Sequence, residues 1–224
     1  KLKGEIIHGD AAYISTRVKE LAQVESARKK LIGMRLGVIG APSDWLISSI
    51  ASPVAVKQKL GIEIVNIAID EVVDAYNAIA DTPSDCATLA EKATTKATKE
   101  AVPGAVKLYY ALKEVATRHR LNGFTIRCFD LLGVVRNTSC YALARLNAEG
   151  IVAGCEGDIP TLLTMMITKA VTGVSGFQAN PSRIDPKTGE MLVAHCTIPL
   201  NMVTRYELDT HFESGIGIGI RGYM

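Results

Sequence analysis

The sequence predicts an α/β fold: a parallel-sheet, Rossmann-like domain followed by the start of a β-rich C-terminal domain. Three observations carry this. Between residues 34 and 171, apolar runs of strand length alternate with amphipathic runs of helix length. The strand runs are apolar throughout rather than at every second residue, as in strands covered on both faces. After Gly173 the helical periodicity stops, and Pro- and Gly-rich turns separate short β-type runs.

In chain order, "GEIIHG" (4–9) reads as a short strand and 11–31 as a helix with Ala, Val and Leu on one side. "MRLGVIG" (34–40) is a strand, 51–60 a helix, "GIEIVNIAI" (61–69) a strand, and 70–79 a helix opened by acidic residues that suit its dipole. Residues 80–104, polar and holding Pro83 and Pro103, read as a surface helix between loops, followed by an amphipathic helix over 105–120. "GFTIRCFD" (123–130) is the third strand, and 137–149 a helix entered through the good caps Asn137, Thr138 or Ser139. "GIVAGCEGD" (150–158) is the fourth strand and 159–171 its helix. Beyond it, "GFQANPSRID", "MLVAHCTIP" and "GIGIGIRGYM" read as strands, with Ile216, Ile218 and Ile220 on one face of the last and glycines on the other. A glycine face implies a close neighbour.

Composition narrows the function. A formal charge of +2 predicts no nucleic-acid footprint and no membrane patch. No apolar run approaches the ~18 residues of a membrane span. Five cysteines in no C-x-x-C pair read as reduced core thiols of a cytoplasmic protein, with zinc or disulfides the minority reading. "GVIGAPSDW" lacks G-x-G-x-x-G, which argues against a nicotinamide or flavin site. The chain opens at Lys1 and stops at Met224 inside a strand-like run, and so reads as part of a longer protein.

The chemistry concentrates where the fourth strand ends. Ligands of open α/β sheets bind beyond the carboxyl ends of the strands, and "CEGD" (155–158) lies at such an end. Asp158, before Ile159 and Pro160, reads first as a helix N-cap and second as a substrate contact. Glu156 has no such local use, and a carboxylate ending an apolar strand needs water, a cation or a metal. Asn180 reads as a turn residue before Pro181 or as a ligand. His195, ending "MLVAH", reads as a hydrogen-bonded core residue or as a ligand, and His211 as a surface or site histidine. Glu156, Asn180 and His195 offer oxygen and nitrogen donors suited to magnesium or manganese, and no Cys-rich zinc spacing competes. Trp45 reads as a core plug or as a platform for a sugar face.

"CEGDIPTLLTMMITKAVTG", "GFQANPSR" and "MLVAHCTIP" together resemble the L-fucose isomerase and L-arabinose isomerase superfamily, and "MRLGVIGAPSDWLIS" and "FTIRCFDLL" resemble its fucose isomerase-like members. The resemblance implies two α/β domains and a β-rich third, assembled as a homotrimer or homohexamer. On that plan residues 1–32 are the tail of a first α/β domain plus a connecting helix, 33–173 the second, and 174–224 the truncated start of the third. It also implies a metal-dependent intramolecular oxidoreductase, an aldose–ketose isomerase acting on a sugar or sugar derivative through an ene-diol. The cofactor would be Mn2+ or another divalent cation such as Mg2+ or Co2+. Glu156 matches the family's first carboxylate, metal ligand and general base, and His195 matches a histidine that ligates metal or touches substrate. Where the family has a second carboxylate this chain has Asn180, which cannot be a base at neutral pH. Asp158, Asp185 or a residue outside the chain would then have to substitute. The departure keeps two alternatives open. One is a relative with altered chemistry, an epimerase or lyase, in which the amide selects an anionic or sulfonated sugar. The other is a non-catalytic sugar-binding protein.

Overall fold

A computed structural model of the chain describes residues 4–47 and 50–224. Its centre is a four-stranded, all-parallel sheet formed by β1 (Arg35–Ile39), β2 (Glu63–Ile67), β3 (Gly123–Ile126) and β4 (Val152–Gly154), in the order β2-β1-β3-β4. Helices cover both faces. On one side lie α1 (Ala11–Leu31), α2 (Pro53–Leu60) and α8 (Ile159–Thr172), which enclose Leu36, Val38, Val152, Leu162 and Met166. On the other lie α3 (Ile69–Ala78), α5 (Lys96–Arg118) and α7 (Cys140–Glu149), packed over Ile39, Phe124, Ile126 and Ala153. Short helices α4 (Cys86–Ala90) and α6 (Asp130–Val135) complete this layer. Double coverage is the reason the strand sequences show no polar alternation. Among the described residues no helix is long and apolar enough to cross a membrane.

Beyond Gly173, whose φ of +83° ends α8, two antiparallel hairpins follow. They are β5 (Asn180–Ile184) with β6 (Met191–Ala194), and β7 (Arg205–Thr210) with β8 (Ile218–Tyr223). The architecture is therefore an α/β, Rossmann-like layer followed by a β-rich region.

Several elements differ from the sequence reading. "GEIIHG" forms no strand; Ile6 is 99% exposed and pairs with no strand among the described residues. Helix α5 begins nine residues before the expected start at 105, at Lys96 after its Thr95 cap, and passes through Pro103. The proline withholds one backbone donor, but the helix is long and buries Val102, Ala105, Val106 and Tyr109 against the sheet layer, so packing outweighs propensity. Asn137, Thr138 and Ser139 do not cap α7 through their side chains. Asn137 instead donates to the Ala101 carbonyl (2.8 Å), and Thr138 Oγ1 donates to the Ile218 carbonyl (2.6 Å) and accepts from the Ile218 N–H (2.9 Å). These residues fasten β8 to the helical layer rather than begin a helix. In that strand Ile218 and Ile220 are buried while Ile216, before it, is 40% exposed.

Candidate active site

The strand order reverses between β1 and β3, which makes their carboxyl ends the switch point where open α/β sheets bind ligands. The loops after β1, β3 and β4 meet there. The Ser43 N–H donates to the Glu156 carbonyl (3.1 Å), and the Gly157 N–H donates to the Ile126 carbonyl (3.1 Å). Arg127 joins the loops by pairing with Asp44 (2.9 Å) and Asp130 (3.2 Å). Gly157 has φ +70°, and a Cβ on it would run into the Ala41 carbonyl, so only glycine closes this corner.

The corner deals differently with its two carboxylates. Asp158 belongs to α8. Its Oδ1 accepts from the Thr161 N–H (2.9 Å) and its Oδ2 from the Thr161 hydroxyl (2.6 Å), which is the N-cap the sequence suggested first. Glu156 sits at φ +66°, the left-handed region that side chains other than those of Asn and Asp seldom enter. Its side chain is 14% exposed and faces His195, with 3.6 Å between Glu156 Oε1 and His195 Nε2. His195 follows β6 and hydrogen-bonds Thr197 Oγ1 through Nδ1 (2.8 Å). Burial opposes charge on the imidazole, but its interactions with Cys196 and Glu156 outweigh that and lift its pKa to about 10. The pair thus sets the His195 imidazole, favoured in its protonated form, against the Glu156 side chain at the edge of a parallel sheet.

A cleft of about 600 Å3 opens on the His195 side of the pair, lined by Asn180, His195, Cys196, His211, Phe212 and Arg221 among others but not by Glu156. Asn180 opens β5 opposite Ala194 and is exposed. Asp185 cannot stand in for a missing carboxylate in this chain. It lies at the far tip of the β5–β6 hairpin, where its Oδ1 accepts from the Lys187 N–H (2.8 Å). Trp45 does not plug the core; it is 53% exposed and meets Phe129 edge-on at 5.5 Å, outside the lining of the cleft. Glu156 and His195 are the donor types that manganese, magnesium or cobalt accept. Among the described residues no third His, Cys, Asp or Glu joins them.

Two further features escape sequence reasoning. Gln178 is buried and brackets the main chain of one residue: its Oε1 accepts from the Cys155 N–H (2.7 Å) and its Nε2 donates to the Cys155 carbonyl (3.3 Å). It ties the base of the β5–β6 hairpin to the residue before Glu156. A polar side chain inside an otherwise apolar "GFQA" was the available signal. The cysteines also pair in space. Cys128 and Cys155 place their sulfurs 2.7 Å apart, and Cys140 and Cys196 theirs 3.3 Å apart. Cys140, Cys128, His195 and His211 surround Cys196, and its hydrogen bond with Cys140 holds its thiol well below the ordinary range against the cost of burial. Separations of 27 and 56 residues leave no local trace of these pairs.

No family model matches the chain. It is 27% identical over 117 residues to a sulfoquinovose isomerase of Clostridium sp. (strain MSTE9), covering 50% of this chain and 26% of that protein. It is 22% identical over 195 residues to a sulfoquinovose isomerase of Alkalicoccus urumqiensis, covering 84% of this chain and 43% of that protein. The chain therefore spans less than half the length of the curated relatives it matches, and its kinship with sugar isomerases is distant.

Proposed function

We propose that this chain forms part of a sugar aldose–ketose isomerase and that Glu156 moves the proton. The observation that carries the reading is the Glu156–His195 pair, with Glu156 held in an unfavourable backbone conformation at the carboxyl edge of the sheet and His195 lining a cleft of sugar size. Strained backbone persists only where surrounding structure enforces it, and it gathers at functional sites. The distant similarity to sulfoquinovose isomerases supports the reaction class and makes sulfoquinovose the first substrate to test.

In the reaction, the Glu156 carboxylate takes the proton from the carbon beside the sugar carbonyl, leaving an ene-diolate. It returns that proton to the former carbonyl carbon while a hydroxyl proton crosses between the two oxygens. One carbon is oxidised and its neighbour reduced, with no external redox partner. His195 balances and orients the carboxylate. Glu156 and His195 would also hold a divalent cation, manganese, magnesium or cobalt, which when bound polarises the substrate's oxygens. Holding it requires the proton on His195 to leave, since only the neutral imidazole ligates. Asn180 offers a neutral amide to a hydroxyl or sulfonate oxygen at the cleft wall. The same amide favours a second reading in which Glu156 removes the proton and a proton returns to that same carbon from the opposite face, so that the substrate is epimerised rather than isomerised.

The test is turnover. The protein containing this chain, supplied with Mn2+, should interconvert sulfoquinovose and its ketose, followed by NMR in D2O. Glu156→Gln should lower kcat by on the order of 10²–10⁴. Absence of turnover over a panel of sulfonated and neutral aldoses, with metal shown to be bound, would defeat the isomerase reading. Epimerised product that carries solvent deuterium at one carbon would establish the second.

A further inference from the structure

Cys140, Cys196 and His211 bring one ligand atom each to within 4.8 Å of one another. They come from three separate elements: the first residue of α7, the segment after β6, and the turn after β7. Their approach has structural support. Gly219 of β8 lies so close to Cys196 that a Cβ there would stand 3.3 Å from the cysteine Cβ, and the Ile220 N–H donates to the Cys196 carbonyl (3.0 Å). His211 is buried; the Ser214 N–H donates to its Nδ1 (3.2 Å), Ser214 Oγ lies 2.8 Å from the same atom, and the imidazole also hydrogen-bonds Cys196.

We propose that Cys140, Cys196 and His211 form a binding site for zinc or another thiophilic divalent cation, adjoining the Glu156–His195 pair where His195 meets Cys196 (3.9 Å) but using neither Glu156 nor His195 as a ligand. The donor set is two sulfurs and an imidazole, the kind that selects zinc over magnesium or manganese. Tetrahedral coordination with Zn–S near 2.3 Å and Zn–N near 2.0–2.1 Å requires donors about 3.5–3.8 Å apart. The cluster reaches this with shifts well under an ångström for the two sulfurs, now 3.3 Å apart. Cys140 is buried, whereas Cys196 and His211 line the cleft, so the fourth coordination position faces the cleft and is open to water or a ligand oxygen. Zinc was only a minority reading of the cysteines in the sequence, because cysteines 56 residues apart form no recognisable zinc spacing.

Cobalt(II) is the probe. The full protein, reduced and stripped with chelator, should bind one Co2+ at this site with a thiolate-to-cobalt charge-transfer band in the near ultraviolet, and Zn2+ should bleach the band. Cys196→Ala and His211→Ala should each abolish or strongly weaken it, while Glu156→Gln should leave it intact. Because these variants can disturb folding, wild-type protein supplies an independent measurement. Zn2+ should slow alkylation of Cys140 and Cys196, read by peptide mass spectrometry, and leave Cys86 unchanged. Cobalt bound without the band would overturn the proposal, as would a band that survives Cys196→Ala. A Cys140–Cys196 disulfide in the isolated protein, with no metal taken up after reduction, would overturn it as well.

Discussion

The β7–β8 hairpin buries Leu208, Ile218 and Ile220 in the core shared with α5 and α7, whereas every residue of β5 and β6 is exposed. A lone two-stranded hairpin is marginal in water and needs a third body to hold it. For β7–β8 that body is the helical layer, clasped through Thr138. For β5–β6 it is a few polar contacts at the base: Gln178 on Cys155 and His195 beside Glu156. One hairpin contributes to stability. The other is anchored only where it delivers Asn180 and His195 to the cleft.

The largest effect should come from the buried hairpin. Ile218→Ala removes a fully buried side chain and should lower the unfolding free energy by about 2–5 kcal/mol in urea titration. A loss below 1 kcal/mol would mean that β8 is not part of the core. The next change tests the helix beneath that hairpin. At the end of α7, burial of Glu149 works against its ionisation, but Lys113 (2.7 Å), Tyr109 (2.8 and 2.9 Å) and Arg145 (3.0 Å) outweigh this and hold its carboxyl below the ordinary range. Glu149→Gln should cost about 1 kcal/mol at neutral pH. A depressed carboxyl contributes fully above its unfolded pKa of about 4.3 and loses that contribution as pH falls through the lower folded value. Wild type and variant should therefore converge in stability below about pH 4; a gap constant down to pH 3 would show that charge is not the cause. The smallest effect belongs to the exposed hairpin. Leu192→Ala, on a residue 60% exposed, should shift stability by no more than about 0.5 kcal/mol. A much larger loss would mean that another part of the full protein covers β5–β6.

The sequence revealed what its local patterns determine. The unbroken apolar runs of β1, β3 and β4 announced a sheet covered on both sides, and Asp158 announced the start of α8. Residues whose roles arise from distant contacts stayed hidden. "RYELDT" became β7 although only Leu208 in it is buried, because pairing with β8 and not an apolar face defines it. Helix α6 is only six residues long and ends at Arg136 with φ +52°, too short for its periodicity to register. Glu156 and His195 were legible as single residues and, with Asn180, as a set suggested by resemblance. That Asn180 lies exposed on a hairpin, that Asp185 serves a turn, and that Gln178 binds the Cys155 peptide follow only from the tertiary arrangement.

Glu156 occupies a peptide geometry that suits glycine better than glutamate. A chain selected for endurance alone would exchange it, since the achiral residue relaxes there and the neighbouring loops would keep their main-chain hydrogen bonds. If Glu156 is the base proposed above, the corner is where ruggedness and reactivity diverge, and a screen for heat tolerance should be drawn to this position at the expense of turnover.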